Sequence, residues 1–192
     1  MRITKSDVIQ TAADIADKNG LSNVSLKVVA ENLNIRTPSL YNHIDSLESL
    51  LREIAHNGMK TMNERIMQAA IGKIGDDAIK SVGITYLNYM IEHPGIYETI
   101  QWATWHGTEE TGKIFDNYLS LLKTLALSCN FNPVNIDEIL NLLTGVLHGY
   151  TTLQLRYAFT KPDEVRTALS AALDTVLAGL HQKYDQHEKE HL

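Results

Sequence analysis

An all-α fold is predicted from three observations on the 192-residue chain. Apolar residues recur at spacings of three and four nearly everywhere, no apolar/polar alternation lasts long enough to nominate a strand, and breaks such as Asn19-Gly20, His93-Pro94-Gly95 and Asn132-Pro133 separate the periodic stretches. The hydrophobic share of 44% and the 11 Gly and 4 Pro exclude collagen-like, low-complexity and fully disordered readings.

The first helix starts at Thr4, whose hydroxyl can cap an amide near Asp7. It shows Val8, Ala12, Ile15 and Ala16 on one face and stops at Asn19-Gly20. A second, capped by Ser25, shows Leu26, Val29, Ala30 and Leu33, and Asn34 permits a left-handed turn after it. Thr37 then caps a short third helix that opens on Pro38 and runs to about Ile44. Asp45 or Ser46 caps a fourth, with Leu47, Leu50, Leu51, Ile54, Ala55, Met59 and Met62, reaching the Gly72–Gly75 break.

Residues 76–92 continue the pattern until His93-Pro94-Gly95, and a shorter helix through Trp102 and Trp105 halts near Gly107. Another spans 109–129, Asn132-Pro133 breaks the chain, and two long helices follow at about 135–159 and 162–184. Residues 186–192 are polar and are expected to fray.

One cysteine, Cys129, allows neither an internal disulfide nor a cysteine-rich zinc site. No apolar run reaches the ~18 residues of a membrane span, and the start Met1-Arg2-Ile3-Thr4-Lys5 carries no secretory signal, so a cytoplasmic location is expected. Net charge is −6, yet residues 1–44 hold five basic side chains against four acidic, leaving the acid excess to the remainder. A weakly positive head on an acidic body fits a DNA reader whose body is kept off the DNA.

Residues 25–44 read as a helix, a turn and a short capped helix, the pattern of a helix-turn-helix. Leu33, Ile35 and Leu40 pack inward to fix the angle, leaving Arg36, Thr37, Ser39, Asn42 and His43 outward and Tyr41 at the edge. These side chains offer donors and acceptors for base edges and phosphates. On spacing alone, the stretch also fits an ordinary polar helix in an α-bundle.

At Ser25, Ala30, Ile35, Leu40, Tyr41 and His43, with Leu50-Leu51 downstream, the chain resembles the TetR family of transcriptional regulators. The resemblance implies a three-helix DNA-binding head at residues 1–46 and an effector-binding and dimerisation body at 47–192. It implies that Ser25, Lys27 and Tyr41 hold phosphates, that Arg36, Thr37, Pro38, Ser39 and Asn42 face bases, and that His43 lies at the backbone edge. Two residues depart from the family pattern: Asn34 stands for a common Gly, and Leu47 for a Lys that often contacts phosphate.

Trp105-His106-Gly107 resembles the Trp-His-Gly tripeptide of one subgroup of TetR-family C-terminal domains. That match implies an effector cavity walled by Tyr86, Tyr89, Met90, Tyr97, Trp102 and Trp105, with His106 as a polar contact and an apolar or aromatic ligand. The same aromatics would also serve as core filling.

The last two helices are apolar on two sides. Beyond their main stripes lie Leu142, Gly145, Gly149, Leu155, Ala171, Ala178 and Gly179, so residues 135–184 are expected to close a four-helix bundle with a second copy.

Catalytic signals are weak. His187-Glu188-Lys189-Glu190-His191 matches H-E-x-x-H, but it ends one residue from the end of the chain on a polar segment with nothing following to supply a third ligand. His56, His93, His148 and His181 are isolated in sequence, and G-x-S-x-G, G-x-G-x-x-G and P-loop patterns are absent. The expected function is a ligand-responsive DNA-binding regulator, a repressor acting as a homodimer on palindromic double-stranded DNA, with no cofactor. The alternatives are a helical small-molecule or metal-binding enzyme with a vestigial head, and a helical interaction protein.

Overall fold

A computed structural model describes residues 3–159 and 161–184. Its nine described α-helices are α1 (Lys5–Asn19), α2 (Leu26–Asn32), α3 (Thr37–Leu40), α4 (Leu47–Ala70), α5 (Gly75–Glu92), α6 (Pro94–His106), α7 (Glu109–Leu127), α8 (Ile136–Leu155) and α9 (Val165–Tyr184). Short 3₁₀ turns at Leu21–Asn23, Pro133–Asn135 and Pro162–Glu164 join some of them. None of the helices is long and apolar enough to cross a membrane. The H-E-x-x-H match at His187–His191 and the expected fraying of 186–192 lie outside the described residues.

Most expected boundaries agree with the structure, and each exception has a local cause. The helix expected over Pro38–Ile44 is four residues long; beyond Leu40 the chain continues in tight turns closed by the amides of His43 and Ile44 on the Leu40 carbonyl. Thr37 is the first residue of that helix rather than its cap, and Arg36 precedes it with no side-chain cap. At the start of α4, Ser46 and Ser49 cap each other's amides at 3.0 Å. Helix α8 stops at Leu155, short of the expected 159, because Tyr157 takes φ 53° and the Ala158 amide turns back to the Leu153 carbonyl.

Contacts divide the chain into two compact units, Met1–Thr61 with Glu92–Phe115 and Met62–Ile91 with Asp116–Leu192, whereas the sequence placed a boundary at residue 46. In the first unit, Val8, Ala12 and Ala16 of α1, Val29 and Ala30 of α2, Leu40 of α3 and Leu50 and Ile54 of α4 form one buried cluster. Leu33, Ile35 and Leu47 lean on it half-buried.

The first unit also holds α6, and the reason is chemical. Pro94 has no amide proton, and the next two amides of that helix, Gly95 and Ile96, donate to the Asp17 carboxylate of α1 at 2.8 and 3.0 Å. His93 Nδ1 reaches the same carboxylate at 2.9 Å, and Glu98 of α6 accepts from the Leu21 amide at 3.1 Å. Asp17 of α1 therefore caps the start of α6, and Glu98 of α6 ties down the turn that follows α1. Gly95 lets the two helices meet, since a Cβ there would stand 2.1 Å from the Ala16 carbonyl carbon. Arg52 of α4 donates to the His106 carbonyl at the other end of α6, and buried His56 pairs with Thr111 Oγ1 at 2.7 Å.

The second unit is built on Ile66, Leu87, Ile136, Ile139, Leu169, Leu173 and Leu177, all nearly inaccessible to solvent. Polar pairs tie its rim: Lys80 with Asp174 at 2.9 Å, His181 with Asp76 at 2.9 Å, and Arg166 with Asn88.

Candidate nucleic-acid interface

Recognition chemistry needs side chains that are held rigidly and left unspent. Helix α2 supplies the brace: Ser25 Oγ accepts the Val28 amide at 3.3 Å, and Val29 and Ala30 are buried against α1. Asn34 takes φ 54°, a conformation Asn tolerates, and the Ile35 amide closes the turn on the Ala30 carbonyl at 3.0 Å. Leu40, wholly buried, then fixes the rotation of α3.

That rotation decides what faces outward. Arg36, Pro38, Tyr41 and Asn42 are exposed, and Thr37, Ser39 and His43 are half-buried. Tyr41 is 58% exposed although aromatic. Among the described residues, the side chains of Arg36, Thr37, Ser39 and Asn42 make no hydrogen bond or ion pair, so their bonding capacity is unspent. Lys27 is exposed on α2 and loosely paired with Glu31 at 3.9 Å. Leu47 packs on the core and supplies no cation at the start of α4.

The other expected site residues are divided between the two units. Tyr86, Tyr89 and Met90 belong to the second unit and are almost fully buried, Tyr86 meeting His148 edge-on at 5.7 Å between ring centres. Burial holds the His148 imidazole below its ordinary range. Tyr97, Trp102, Trp105 and His106 belong to the first unit. There Tyr97 is buried, Trp102 stacks on His106 at 4.6 Å, and Trp105 stands 87% exposed rather than in a wall.

The off-stripe residues of the last two helices lie open. Leu142, Gly145 and Gly149 of α8 and Ala171, Ala178 and Gly179 of α9 are exposed, while Leu155 is half-buried. A Cβ added at Gly145, Gly149 or Gly179 would meet nothing within 4 Å. A groove between these helices runs past Leu142, Val176 and Gly179, crossed by the Lys183–Glu138 pair at 3.3 Å.

The Asp17 cap on the start of α6 was missed by sequence reasoning. Pro94-Gly95 was legible only as a break, and nothing in the local pattern ties it to Asp17, far away in the chain.

Comparison with known proteins settles the family. Residues 79–176, half of the chain, match the model of the tetracyclin repressor-like C-terminal domain. The chain belongs to the TetR family of transcriptional regulators. Over 93% of both chains, the regulator is 29% identical to YobS of Bacillus subtilis, described as an uncharacterized HTH-type transcriptional regulator. Solved structures share its fold: a Rhodococcus protein of unknown function superposes with a TM-score of 0.82 at 16% identity, over 94% of this chain and 96% of that one. A single-residue variant of TetR from Acinetobacter baumannii, solved in complex with minocycline, superposes at 0.72 with 18% identity, over 96% and 100%. DNA-binding and transcription regulation are thus the function class of this chain.

Proposed function

We propose that the regulator acts as a homodimeric repressor on a palindromic operator and that a small apolar or aromatic molecule bound by its body controls the affinity. The observation that carries this reading is the unspent polar face of Arg36, Thr37, Ser39 and Asn42, held by buried Leu40 behind a braced α2. Arg36, Thr37, Pro38, Ser39 and Asn42 read base edges, Ser25, Lys27 and Tyr41 hold phosphates, and His43 borders the backbone. A second copy covers the open face of α8 and α9, so two heads present two half-sites.

The minocycline bound by the Acinetobacter protein supports a small-molecule effector, and Trp105-His106-Gly107 supports the Trp-His-Gly subgroup. An effector acts only if it prefers one of two arrangements of the regulator, since equal affinity for both shifts nothing. The regulator is assigned to the cytoplasm, and its work is binding rather than catalysis.

Titration of operator and scrambled duplexes tests the reading. Asn42→Ala weakens the preferred site by about 1–3 kcal/mol and leaves scrambled DNA unaffected. Lys27→Ala weakens both alike and lowers the salt slope by about one. Equal binding of operator and scrambled duplex by the intact protein refutes it.

A further inference from the structure

Helix α8 ends on a residue that its own turn does not suit. Among the described residues, three that are not glycine take positive φ: Asn34, Asn130 and Tyr157. Asparagine tolerates the left-handed conformation, whereas the Cβ of a tyrosine is crowded in it. Tyr157 nevertheless holds the position where a helix-ending turn commonly carries glycine: its amide donates to the Gln154 carbonyl at 3.0 Å, and the next amide, of Ala158, to the Leu153 carbonyl at 2.9 Å. Nothing within the chain offsets that conformation. Tyr157 is 85% exposed, and its side chain makes no hydrogen bond, ion pair or ring contact among the described residues. Two residues on, Phe159 turns back onto Tyr150 with ring centres 5.2 Å apart, so the same turn packs one aromatic ring and leaves the other out.

Tyr157 follows one turn after Leu153 on the open face of α8. Along that face Leu142, Gly145, Gly149 and Leu153 recur at steps of three and four, the two leucines 47% and 44% exposed. The glycines let a neighbouring backbone approach, since a Cβ at Gly145 or Gly149 would meet nothing within 4 Å, but they bring little area of their own. A stable pairing buries about 800 Å² per partner, and one aromatic side chain supplies roughly 150–250 Å². The large side chains at the two ends of the glycine stretch must therefore carry the contact. Charge in the turn is balanced, Arg156 and Lys161 standing against Asp163 and Glu164 with Lys161 on Glu164 at 3.1 Å, so the turn lacks the positive surface that a nucleic acid needs.

We propose that Tyr157 is a clasp between two copies of this chain, its ring lying against the partner's α8–α9 face and closing the end of the dimer contact. Tyrosine suits the role, because it brings a large, rigid apolar surface with few rotatable bonds to order. The clasp rests on the dimer reading above and names a residue for it.

The test uses the full-length protein, with dissociation followed by fluorescence-detected sedimentation. Tyr157→Gly is expected to weaken the dimer by about tenfold or more, and Tyr157→Phe by less than roughly threefold. Glycine suits the left-handed turn better than tyrosine, so the Ala158 amide keeps its hydrogen-exchange protection in Tyr157→Gly. Hydroxyl-radical footprinting of the wild type supplies a second readout: Tyr157 is expected to react more slowly than Tyr41, which is 58% exposed, although Tyr157 is the more open of the two in the single chain. A Tyr157→Gly protein that dimerises like the wild type, or a Tyr157 that reacts faster than Tyr41 in a protein sedimenting as a dimer, overturns the clasp and leaves the dimer reading standing. Loss of the dimer together with loss of Ala158 protection makes Tyr157 a cap alone and overturns it too, as does footprint protection that appears only once DNA is added. A wild type that sediments as a monomer at micromolar concentration removes the dimer reading and the clasp with it.

Discussion

Replacing Gly95 with alanine places one methyl group where the α1 backbone already runs. The new Cβ would lie 2.1 Å from the Ala16 carbonyl carbon and 2.4 Å from both the Ala16 oxygen and the Asp17 nitrogen. These are main-chain atoms inside helix α1, so no side chain can swing away, and reaching van der Waals separation requires the helices to part by roughly 1 Å or more. Overpacking of this kind costs about 1–3 kcal/mol. Parting also stretches the Asp17 carboxylate's bonds to the Gly95 and Ile96 amides, now 2.8 and 3.0 Å, and hydrogen bonds to a charged group contribute about 1.5–3 kcal/mol each. Alanine's better helix propensity returns about 1 kcal/mol. The net loss is about 2–4 kcal/mol, which for a chain of this length lowers Tm by roughly 5–15 °C. Thermal denaturation followed by circular dichroism measures it. Gly112→Ala is the control in the same unit, because an added Cβ there meets nothing within 4 Å, and it raises stability by about 0.5–1 kcal/mol. A Gly95→Ala protein melting within 2 °C, roughly, of the wild type would refute the close approach of α1 and α6 on which the magnitude rests.

Three further outcomes follow from the same structure. Gly149→Leu, at an open position on the exposed face of α8, gives monomers or aggregates by sedimentation, and a wild type that sediments as a monomer at micromolar concentration contradicts the proposed dimer. Burial lowers the pKa of His56 below its ordinary 6.5, with Glu110 and Glu53 opposing and Lys60 and Arg52 assisting. The neutral ring is therefore favoured in the fold, and its stability contribution, complete above pH 6.5, is lost as pH falls toward the folded value; His56→Gln, scanned by urea denaturation from pH 8 to 5, flattens that decline. Ser25→Ala removes the α2 cap and costs about 1 kcal/mol in the same assay, with an intact Val28 amide protection in hydrogen exchange as the contrary result.

Elements marked by their own residues were legible in the sequence. The Thr4–Asp7 box forms with both bonds, and hydrogen bonding from Thr4 holds the Asp7 carboxyl below its usual range. Gly20, Asn34 and Pro94 end or begin helices where their backbone preferences dictate. The face of α3 was legible because its one buried anchor, Leu40, sits among short polar residues. Features that depend on two distant segments were not. Asp17 looks like any acidic residue near a helix end until Gly95 and Ile96 arrive beside it, and Trp105 on an amphipathic helix reads as a wall although it faces solvent.

The most direct test of the account is selection of duplexes from a random pool by the purified full-length protein, repeated with Asn42→Ala. A two-fold symmetric sequence with half-site centres about one helical turn, ~10 base pairs, or a multiple apart is expected to be enriched, and the preference is expected to be lost in the variant. A pool that stays unenriched, or an identical palindrome selected by Asn42→Ala, Arg36→Ala and the doubly substituted protein alike, would contradict it.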